Sequence, residues 1–135
     1  MTPNDIILLV EDDPAAVRIA MHAFSKSGVD KKRITVAKDG QKALDYLFAA
    51  ESAGNPLPRL VLLDLKLPKI DGLEVLKRIR EEKSTRDTPV IILTNSDEER
   101  DVVRGYDLGA NSYLRKPVDF NQLVEILEQL ELMPK

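Results

Sequence analysis

Carboxylates, a hydroxyl and an amine directly follow short strand-like segments at four places in this chain. The candidate residues are Glu11 and Asp12 after the segment 6–10, Asp64 after 60–63, Thr94 after 90–93 and Lys116 after 112–115. Crowded carboxylates repel one another unless a cation neutralises them. Oxygen ligands of this kind suit Mg²⁺, which keeps several waters and takes one or two carboxylates directly. A metal, an amine and a hydroxyl around one carboxylate are the groups that phosphoryl transfer needs, because that chemistry depends on positioning and charge neutralisation.

To meet at one place, these residues must be carried by parallel strands of a single sheet. The segment 60–63 is a run of four apolar residues, which is typical of a strand buried on both faces. The predicted strands cover 6–10, 33–37, 60–64, 90–93 and 112–115, and helices are predicted to begin near residues 14, 40, 72, 97 and 120. Because strands that alternate with helices form parallel sheets, the carboxyl ends of the strands should share one edge.

The predicted fold class is α/β, a three-layer α/β/α sandwich around a doubly wound, five-stranded parallel sheet. A single domain over residues 1–135 fits the length, whereas a closed barrel of eight strand–helix units needs about 250 residues. Asp13-Pro14 predicts the start of the first helix, as an N-cap followed by proline, and Gly28 predicts its end. We therefore expect Asp13 to be a helix cap rather than a site residue.

The other helices carry similar start signals. Asp71 to Glu74 and Ser96 to Glu99 predict capping boxes for the third and fourth helices. On the fourth helix, Val102, Val103 and Tyr106 are predicted to supply the buried side. The segments 30–33 and 52–58 are predicted to be loops, the second because it is rich in small residues and proline.

Composition narrows the function. The chain has 20 basic and 23 acidic residues, and this net charge of −3 offers no electrostatic footprint for nucleic acid. No apolar run approaches the roughly 20 residues that span a bilayer, so we expect a cytoplasmic protein without membrane contact. The absence of cysteine excludes disulfides, thiolate chemistry and cysteine-based metal sites. The single histidine, His22, is predicted to lie on the exposed stripe of its helix.

Five motifs occur in an order and at spacings that resemble the response-regulator receiver domain of two-component signalling. They are Val10-Glu11-Asp12-Asp13-Pro14, Leu63-Asp64-Leu65-Lys66-Leu67-Pro68 with Asp71-Gly72, Leu93-Thr94-Asn95-Ser96, Gly109-Ala110-Asn111-Ser112-Tyr113, and Lys116-Pro117. Each motif alone is weak evidence, whereas all five in order are highly specific. The resemblance covers residues 6 to about 130 and implies the strand order 2-1-3-4-5.

The resemblance also implies roles for the acids. Asp64 is the implied phosphoacceptor, which attacks the phosphorus of a phosphohistidine on a partner histidine kinase. The implied cofactor is Mg²⁺, with Asp12 and Asp64 as ligands, Glu11 acting through water and Lys66 through its main-chain carbonyl. The domain is therefore expected to be a signalling protein that catalyses only its own phosphorylation and dephosphorylation, rather than an enzyme acting on other substrates.

Three further residues receive roles from the same resemblance. Lys116 pairs with the phosphoryl oxygens, and the Thr94 hydroxyl bonds to one of them. Tyr113, otherwise a half-buried packing residue, changes rotamer as Thr94 moves. The Lys116–Pro117 peptide is expected to be cis, and the added phosphoryl charge is expected to change the face formed by the last two helices and the fifth strand.

The partners are expected to be proteins. We expect no output domain after Lys135 and therefore expect the signal to leave through a protein contact. The loops at 30–33 and 52–58, and the sequence of residues 62–68, resemble the small regulators of phytochrome-type or other PAS/GAF-containing histidine kinases. A homodimer through the last helix and the fifth strand is compatible with such a regulator.

Three other functions are weighed on the same residues. A phosphatase with an aspartate nucleophile would need a second acid two residues after Asp64, where Lys66 stands. A nucleotide or flavin binder would need a glycine-rich phosphate loop, and neither of the two common forms occurs in the sequence. A receiver-like scaffold that never takes phosphate would not need the acid pair, the threonine and the lysine together.

Overall fold

The computed structural model describes residues 5–53, 57–94 and 104–131, apart from the side chains of 50–53. Strands and helices alternate along these residues. They are β1 (Ile7–Val10), α1 (Pro14–Lys26), β2 (Ile34–Ala37), α2 (Gly40–Ala53), β3 (Leu60–Asp64), α3 (Gly72–Glu81), β4 (Val90–Thr94), the helical residues 104–107 labelled α4, β5 (Ser112–Arg115) and α5 (Phe120–Gln129). The predicted capping box at 96–99 lies outside the described residues.

The five strands form one parallel sheet in the order β2-β1-β3-β4-β5. β1 and β3 lie side by side, with Val10 opposite Leu63, and β4 places Leu93 opposite Asp64. This topology confirms the predicted fold class and strand order. It also brings the carboxyl ends of β1, β3, β4 and β5 to one edge of the sheet.

The hydrophobic core has two layers, one on each face of the sheet. Ile7, Leu9 and Leu62 face the side covered by α1 and α5, where Phe24 and Leu123 are fully buried. The alternate strand residues, Leu8, Val10 and Leu63 among them, face the side covered by α2 and α3. Both faces of β1, β3 and β4 are therefore buried, which explains their continuous apolar sequences and confirms the three-layer architecture.

The helices begin where their caps predict. Asp13 accepts a hydrogen bond from the Ala15 N–H at 3.0 Å, and Pro14 opens α1. Asp71 accepts one from the Glu74 N–H at 3.0 Å at the start of α3. Each carboxylate satisfies a backbone donor that the first helical turn leaves unpaired, so the chain turns into a helix directly after the strand or loop that precedes it.

Two predicted loops are wrong in part. α2 continues to Ala53, so residues 52 and 53 are helical, because the alanine-rich end of α2 has high helix propensity. Residues Lys31–Arg33 form a 3₁₀ turn rather than an extended loop, because the Asp30 carboxylate accepts the Lys32 N–H at 3.0 Å and closes the turn. Neither change moves a candidate site residue.

The predicted buried side of the fourth helix is also wrong where it can be tested. Tyr106 is 44% exposed, and Val102 and Val103 lie outside the described residues. Gly105 faces the sheet instead, since a Cβ there would lie 2.1 Å from Ile92 Cδ1. A backbone that approaches the sheet this closely turns its next residue outward.

No helix within the described ranges is long and apolar enough to cross a membrane.

Candidate functional site

Three carboxylates meet at the carboxyl edge of the sheet. One oxygen each from Glu11, Asp12 and Asp64 lies within 4.8 Å of the others. They meet because Val10 and Leu63 are paired in the sheet, so the next residue of each strand lies at the same edge. The Glu11 N–H donates to the Ala37 carbonyl at 3.0 Å, which extends the β1 pairing by one residue and fixes where the acid pair begins. Residues more than 50 positions apart in sequence thus form one cluster.

Lys116, in the loop after β5, contacts two of these acids. Lys116 Nζ lies 2.9 Å from Asp64 Oδ2 and 2.5 Å from Glu11 Oε1. Its backbone is positioned by a hydrogen bond from the Lys116 N–H to the Thr94 carbonyl at 2.7 Å, and the Lys116–Pro117 peptide is cis as expected. The amine therefore lies between the ends of β1 and β3, in contact with both buried carboxylates.

The charges of the acid cluster and Lys116 do not balance. Glu11 is only 1% exposed, and burial raises its pKa to about 7, with the neighbouring Asp64 carboxylate adding to the increase and Lys116 opposing it. Burial acts to lower the pKa of Lys116, but its hydrogen bonds and charge interactions with Glu11 and Asp64 outweigh this and raise it. One amine thus balances only part of the charge of three carboxylates.

The backbone after β3 closes tightly around Asp64. The Lys66 N–H donates to Asp64 Oδ1 at 3.0 Å, while the Lys66 residue itself is exposed. The Gly72 N–H donates to the Leu65 carbonyl at 2.9 Å, and a Cβ at Gly72 would lie 2.3 Å from the Asp64 carbonyl oxygen. Only glycine fits there, so α3 starts directly beneath the strand end that carries the carboxylate.

The hydroxyl lies on β4, next to β3, and the tyrosine lies on β5, at the edge of the sheet. Thr94 ends β4 and is buried, opposite Arg115 in the sheet. Tyr113 lies on β5, is 45% exposed and packs against Tyr106. The contact between the two tyrosines has no signal in the sequence beyond two aromatic residues seven positions apart, because it depends on how closely α4 approaches β4.

A cavity adjoins the cluster on the α1 side. Its volume is about 330 Å³, and its lining includes Glu11 and Lys116 together with the first turns of α1 and the residues after Lys116. Asp13 and Ile19 are part of that lining, and Ile19 is exposed. Of the three clustered carboxylates, only Glu11 lines this cavity, which therefore opens onto the pair of Glu11 and Lys116.

The chemistry of the donor set fits a hard divalent cation. All candidate ligands are oxygen atoms, as Mg²⁺ and Mn²⁺ prefer. Glu11 Oε1 is buried against the Lys116 ammonium, 2.5 Å from Nζ. With the three acids ionised, the cluster and Lys116 together carry two negative charges, which a divalent cation would neutralise.

Known proteins resemble this chain over nearly its whole length. The profile of the response regulator receiver domain matches residues 7–128. The chain is 46% identical to "Probable methanogenesis regulatory protein FilR2" of Methanothrix harundinacea, covering 93% of this chain and 81% of that protein. Among solved structures, the bacteriophytochrome response regulator AtBRR shares 41% identity with a TM-score of 0.84, over 99% of this chain and 97% of its own. The Mn²⁺-bound form of response regulator Rcp1 shares 36% identity with a TM-score of 0.76, over 94% and 91%.

The fold and the acid cluster thus define a receiver domain of two-component signalling. This chain belongs to the response regulator receiver domain family.

Proposed function

We propose that Asp64 accepts a phosphoryl group from a phosphohistidine of a partner histidine kinase, in a reaction that depends on Mg²⁺. The observation that carries this proposal is the contact of the buried Asp64 carboxylate with Lys116 Nζ at 2.9 Å, beside Glu11 and Asp12. A carboxylate in contact with an amine has a cationic partner beside it for the oxygens of an incoming phosphoryl group.

In the transfer step, an oxygen of the Asp64 carboxylate forms a bond to phosphorus while the phosphorus–nitrogen bond of the phosphohistidine breaks. The electron pair of that bond returns to the ring nitrogen. A ring that is protonated on its other nitrogen leaves as neutral imidazole, and an unprotonated ring becomes neutral by taking a proton from solvent. Lys116 Nζ, already 2.9 Å from Asp64 Oδ2, would pair with the incoming phosphoryl oxygens. The Lys66 N–H holds Asp64 Oδ1 and so orients the carboxylate before the reaction.

The residues proposed to hold the metal are Asp12, Asp64, the main-chain carbonyl of Lys66 and, through water, Glu11. Bound Mg²⁺ would supply charge neutralisation for the phosphoryl oxygens. Glu11 is buried and accepts the Asp12 N–H at 3.0 Å on Oε2, so it also fixes the backbone from which the Asp12 side chain departs.

The output is proposed to leave through α4, β5 and α5. The Thr94 hydroxyl would bond to the phosphoryl group, and Tyr113 would change rotamer as Thr94 moves. Support comes from the position of Thr94 at the end of β4, at the same edge as Asp64, and from the exposure of Tyr113 on the neighbouring strand. The target is proposed to be a protein, with a homodimer through α5 and β5 as one such contact.

The kinase is proposed to be of the phytochrome type, or another sensor with PAS and GAF domains. The support is the 41% identity to AtBRR, a bacteriophytochrome response regulator, over 99% of this chain. We further propose that residues 1–135 form one receiver domain that works in the cytoplasm and modifies only itself. Transfer rates measured with a set of purified kinases test the partner: a phytochrome-type kinase should transfer fastest, and a clear preference for another class would exclude it.

Phosphorylation with a small donor tests the main proposal. Incubation with Mg²⁺ and acetyl phosphate should add one phosphoryl group to the intact protein, measured by mass spectrometry. Asp64→Asn should abolish the gain, whereas Asp13→Asn, which changes a neighbouring acid that caps α1, should keep it. A gain that survives Asp64→Asn would show that another residue is the acceptor.

The same experiment separates the other functions. Continuous release of phosphate at enzyme-like rates would favour a phosphatase. No mass gain despite intact Mg²⁺ binding would favour a receiver-like scaffold that is not regulated by phosphate.

A further inference from the structure

Two tyrosine rings contact each other at the edge of the sheet that lies farthest from β2. The Tyr106 and Tyr113 centroids are 6.2 Å apart and their planes make an angle of 88°, which is an edge-to-face arrangement. Both residues are exposed, at 44% and 45%. Edge-to-face pairs of this kind are favourable beyond the area that they bury, so each ring favours the position that keeps the contact.

The contact depends on how α4 packs on β4. A Cβ at Gly105 would lie 2.1 Å from Ile92 Cδ1, so the Ile92 side chain packs directly against the α4 backbone. Ile92 is paired with Tyr113 in the sheet. The residue after Gly105 is consequently held beside the β5 position that carries the Tyr113 ring.

Tyr113 lies on the same face of the sheet as Thr94, which is at the edge that carries Asp64. Alternate residues of a strand face the same side, so Ile92 and Thr94 lie on one face of β4, and paired residues of parallel strands share a face. Tyr113, paired with Ile92, therefore lies on the same face as Thr94, with an offset of two residues along the strand. A ring that turns from the outer edge towards β4 would move towards Thr94 and would give up its present edge-to-face arrangement with Tyr106.

We propose that Tyr106 is a positioning residue that holds the Tyr113 ring at the outer edge of the sheet while Asp64 carries no phosphoryl group. This inference rests on the proposed function only in taking Tyr113 as the residue that reports on Asp64. Loss of the ring contact should shift the ratio of outward to inward Tyr113 by roughly 2- to 10-fold. The resting state of the output face would then be set by α4 as well as by the phosphoacceptor site.

Fluorine NMR tests this directly, because the chain contains only three tyrosines and no tryptophan. The protein is labelled with 3-fluorotyrosine, and the signals are assigned with Tyr46→Phe and Tyr113→Phe. The difference in chemical shift between H₂O and D₂O reports how much solvent reaches each ring. Tyr106→Leu removes the aromatic contact, and Tyr106→Phe is the matched control that keeps it. Tyr46, on α2, serves as an internal reference.

The expected change in the solvent shift of Tyr113 is opposite in sign to the change that simple loss of a neighbouring ring would cause. Removing Tyr106 without moving Tyr113 would expose the Tyr113 ring further, and the solvent shift would grow. If Tyr106 holds the ring outward, Tyr106→Leu lets it turn towards β4, and the solvent shift of Tyr113 should fall while Tyr106→Phe stays at the wild-type value. A larger or unchanged shift in Tyr106→Leu would overturn the proposal, as would an equal change in both variants.

Stability and phosphorylation are measured in parallel. If Tyr106→Leu does not fold, Tyr106→Met gives a second way to remove the ring while keeping apolar bulk and helix propensity. Adding Mg²⁺ and acetyl phosphate to the wild type tests the proposed function separately: an unmoved Tyr113 signal despite a mass gain would remove Tyr113 as the reporter. The effect of Tyr106 on the unphosphorylated protein would still stand or fail by its own measurement.

Discussion

The two edges of the sheet use charged side chains in opposite ways. At the amino edge, the Arg80 guanidinium donates five hydrogen bonds, at 2.7 to 3.0 Å, that join α3 to the loops before β4 and β5. Its acceptors are the carbonyls of Arg86, Thr88 and Gly109 and the Asn111 side chain. At the carboxyl edge, Lys116 is shared by Glu11 and Asp64, and a third acid lies beside them.

The Arg80 network and the acid cluster differ in whether their charges and hydrogen bonds are satisfied within the chain. Arg80 satisfies its hydrogen-bonding capacity within the chain, and Asn111 Oδ1 also accepts the Val90 N–H at 2.8 Å, so the network needs nothing from outside. The acid cluster keeps an excess of negative charge, because a single amine contacts two of its three carboxylates. A closed network stabilises the fold, whereas an open one is stabilised by a ligand. Removing a charge should therefore cost folding stability at one edge and binding at the other.

The largest effect on stability is expected at Arg80. Arg80→Met should lower the free energy of unfolding by about 3 kcal/mol, because the partly buried Thr88 carbonyl and three further acceptors lose their donor together. Urea unfolding measures the loss. Arg80→Lys is the matched control: it should recover only part of the stability, since one ammonium cannot reproduce the planar fork. Mg²⁺ affinity, measured by calorimetry, should change less than about twofold, and a larger drop would mean that the two edges are coupled.

The second effect is a dependence of stability on pH in the absence of metal. Glu11 has a pKa of about 7 in the folded protein against 4.5 ordinarily, so the folded state holds this proton more tightly than the unfolded chain. Its contribution to stability is therefore complete below pH 4.5 and is lost as the pH rises through 7. We expect a loss of roughly 2 kcal/mol between pH 5 and pH 8, since one pKa unit corresponds to about 1.4 kcal/mol.

Glu11→Gln isolates this contribution. The difference in unfolding free energy between the wild type and Glu11→Gln should carry the pH dependence, because the other titrating groups are common to both proteins. Lys116, whose pKa is raised, would lose its contribution only above its ordinary value of 10.5, outside this range. Saturating Mg²⁺ should flatten the wild-type curve above pH 7. A wild-type curve parallel to that of Glu11→Gln would show that Glu11 titrates normally.

Much of the fold could be predicted because its signals are local. Four-residue apolar runs identify β1, β3 and β4, and Asp13 and Asp71 mark helix starts through hydrogen bonds to residues two or three positions away. The meeting of the acids with Lys116 also follows from topology, since residues that follow parallel strands share an edge. The roles of these residues stay predictions until phosphorylation is measured.

What could not be predicted depends on distances between elements. The exposure of Tyr106 follows from the approach of Gly105 to Ile92, which hydrophobic periodicity does not encode. The Arg80 network likewise joins residues 6 to 31 positions apart, mostly through backbone carbonyls. Every residue has a backbone carbonyl, so the sequence does not show which ones will accept these hydrogen bonds. From the sequence alone, Arg80 would be predicted to be an exposed helix residue. Only the packed structure shows that it joins α3 to two loops.

The adjacent acids Asp12 and Asp13 allow binding and stability to be compared between neighbouring residues. Asp12 belongs to the acid cluster and is itself exposed, whereas the Asp13 carboxylate caps α1. Asp12→Asn should weaken Mg²⁺ binding by about tenfold, which corresponds to about 1.4 kcal/mol, and should slow phosphorylation by acetyl phosphate. Its unfolding free energy without metal should stay the same or rise, because one of the mutually repelling charges is gone. Unchanged Mg²⁺ affinity would remove Asp12 from the metal site.

The smallest effect is expected at Asp13. Asp13→Ala removes the acceptor of the Ala15 N–H at the first turn of α1 and should cost about 1 kcal/mol of stability, measured by thermal unfolding. Asp13→Asn should restore most of it, since an asparagine side chain caps almost as well. Mg²⁺ affinity should stay within twofold in both variants, because the remaining effect of Asp13 on the cluster is a screened charge at an exposed position. If Asp13→Ala weakened metal binding as much as Asp12→Asn, the cap and the acid cluster would be one functional unit, and the division between closed and open networks would fail at the start of α1.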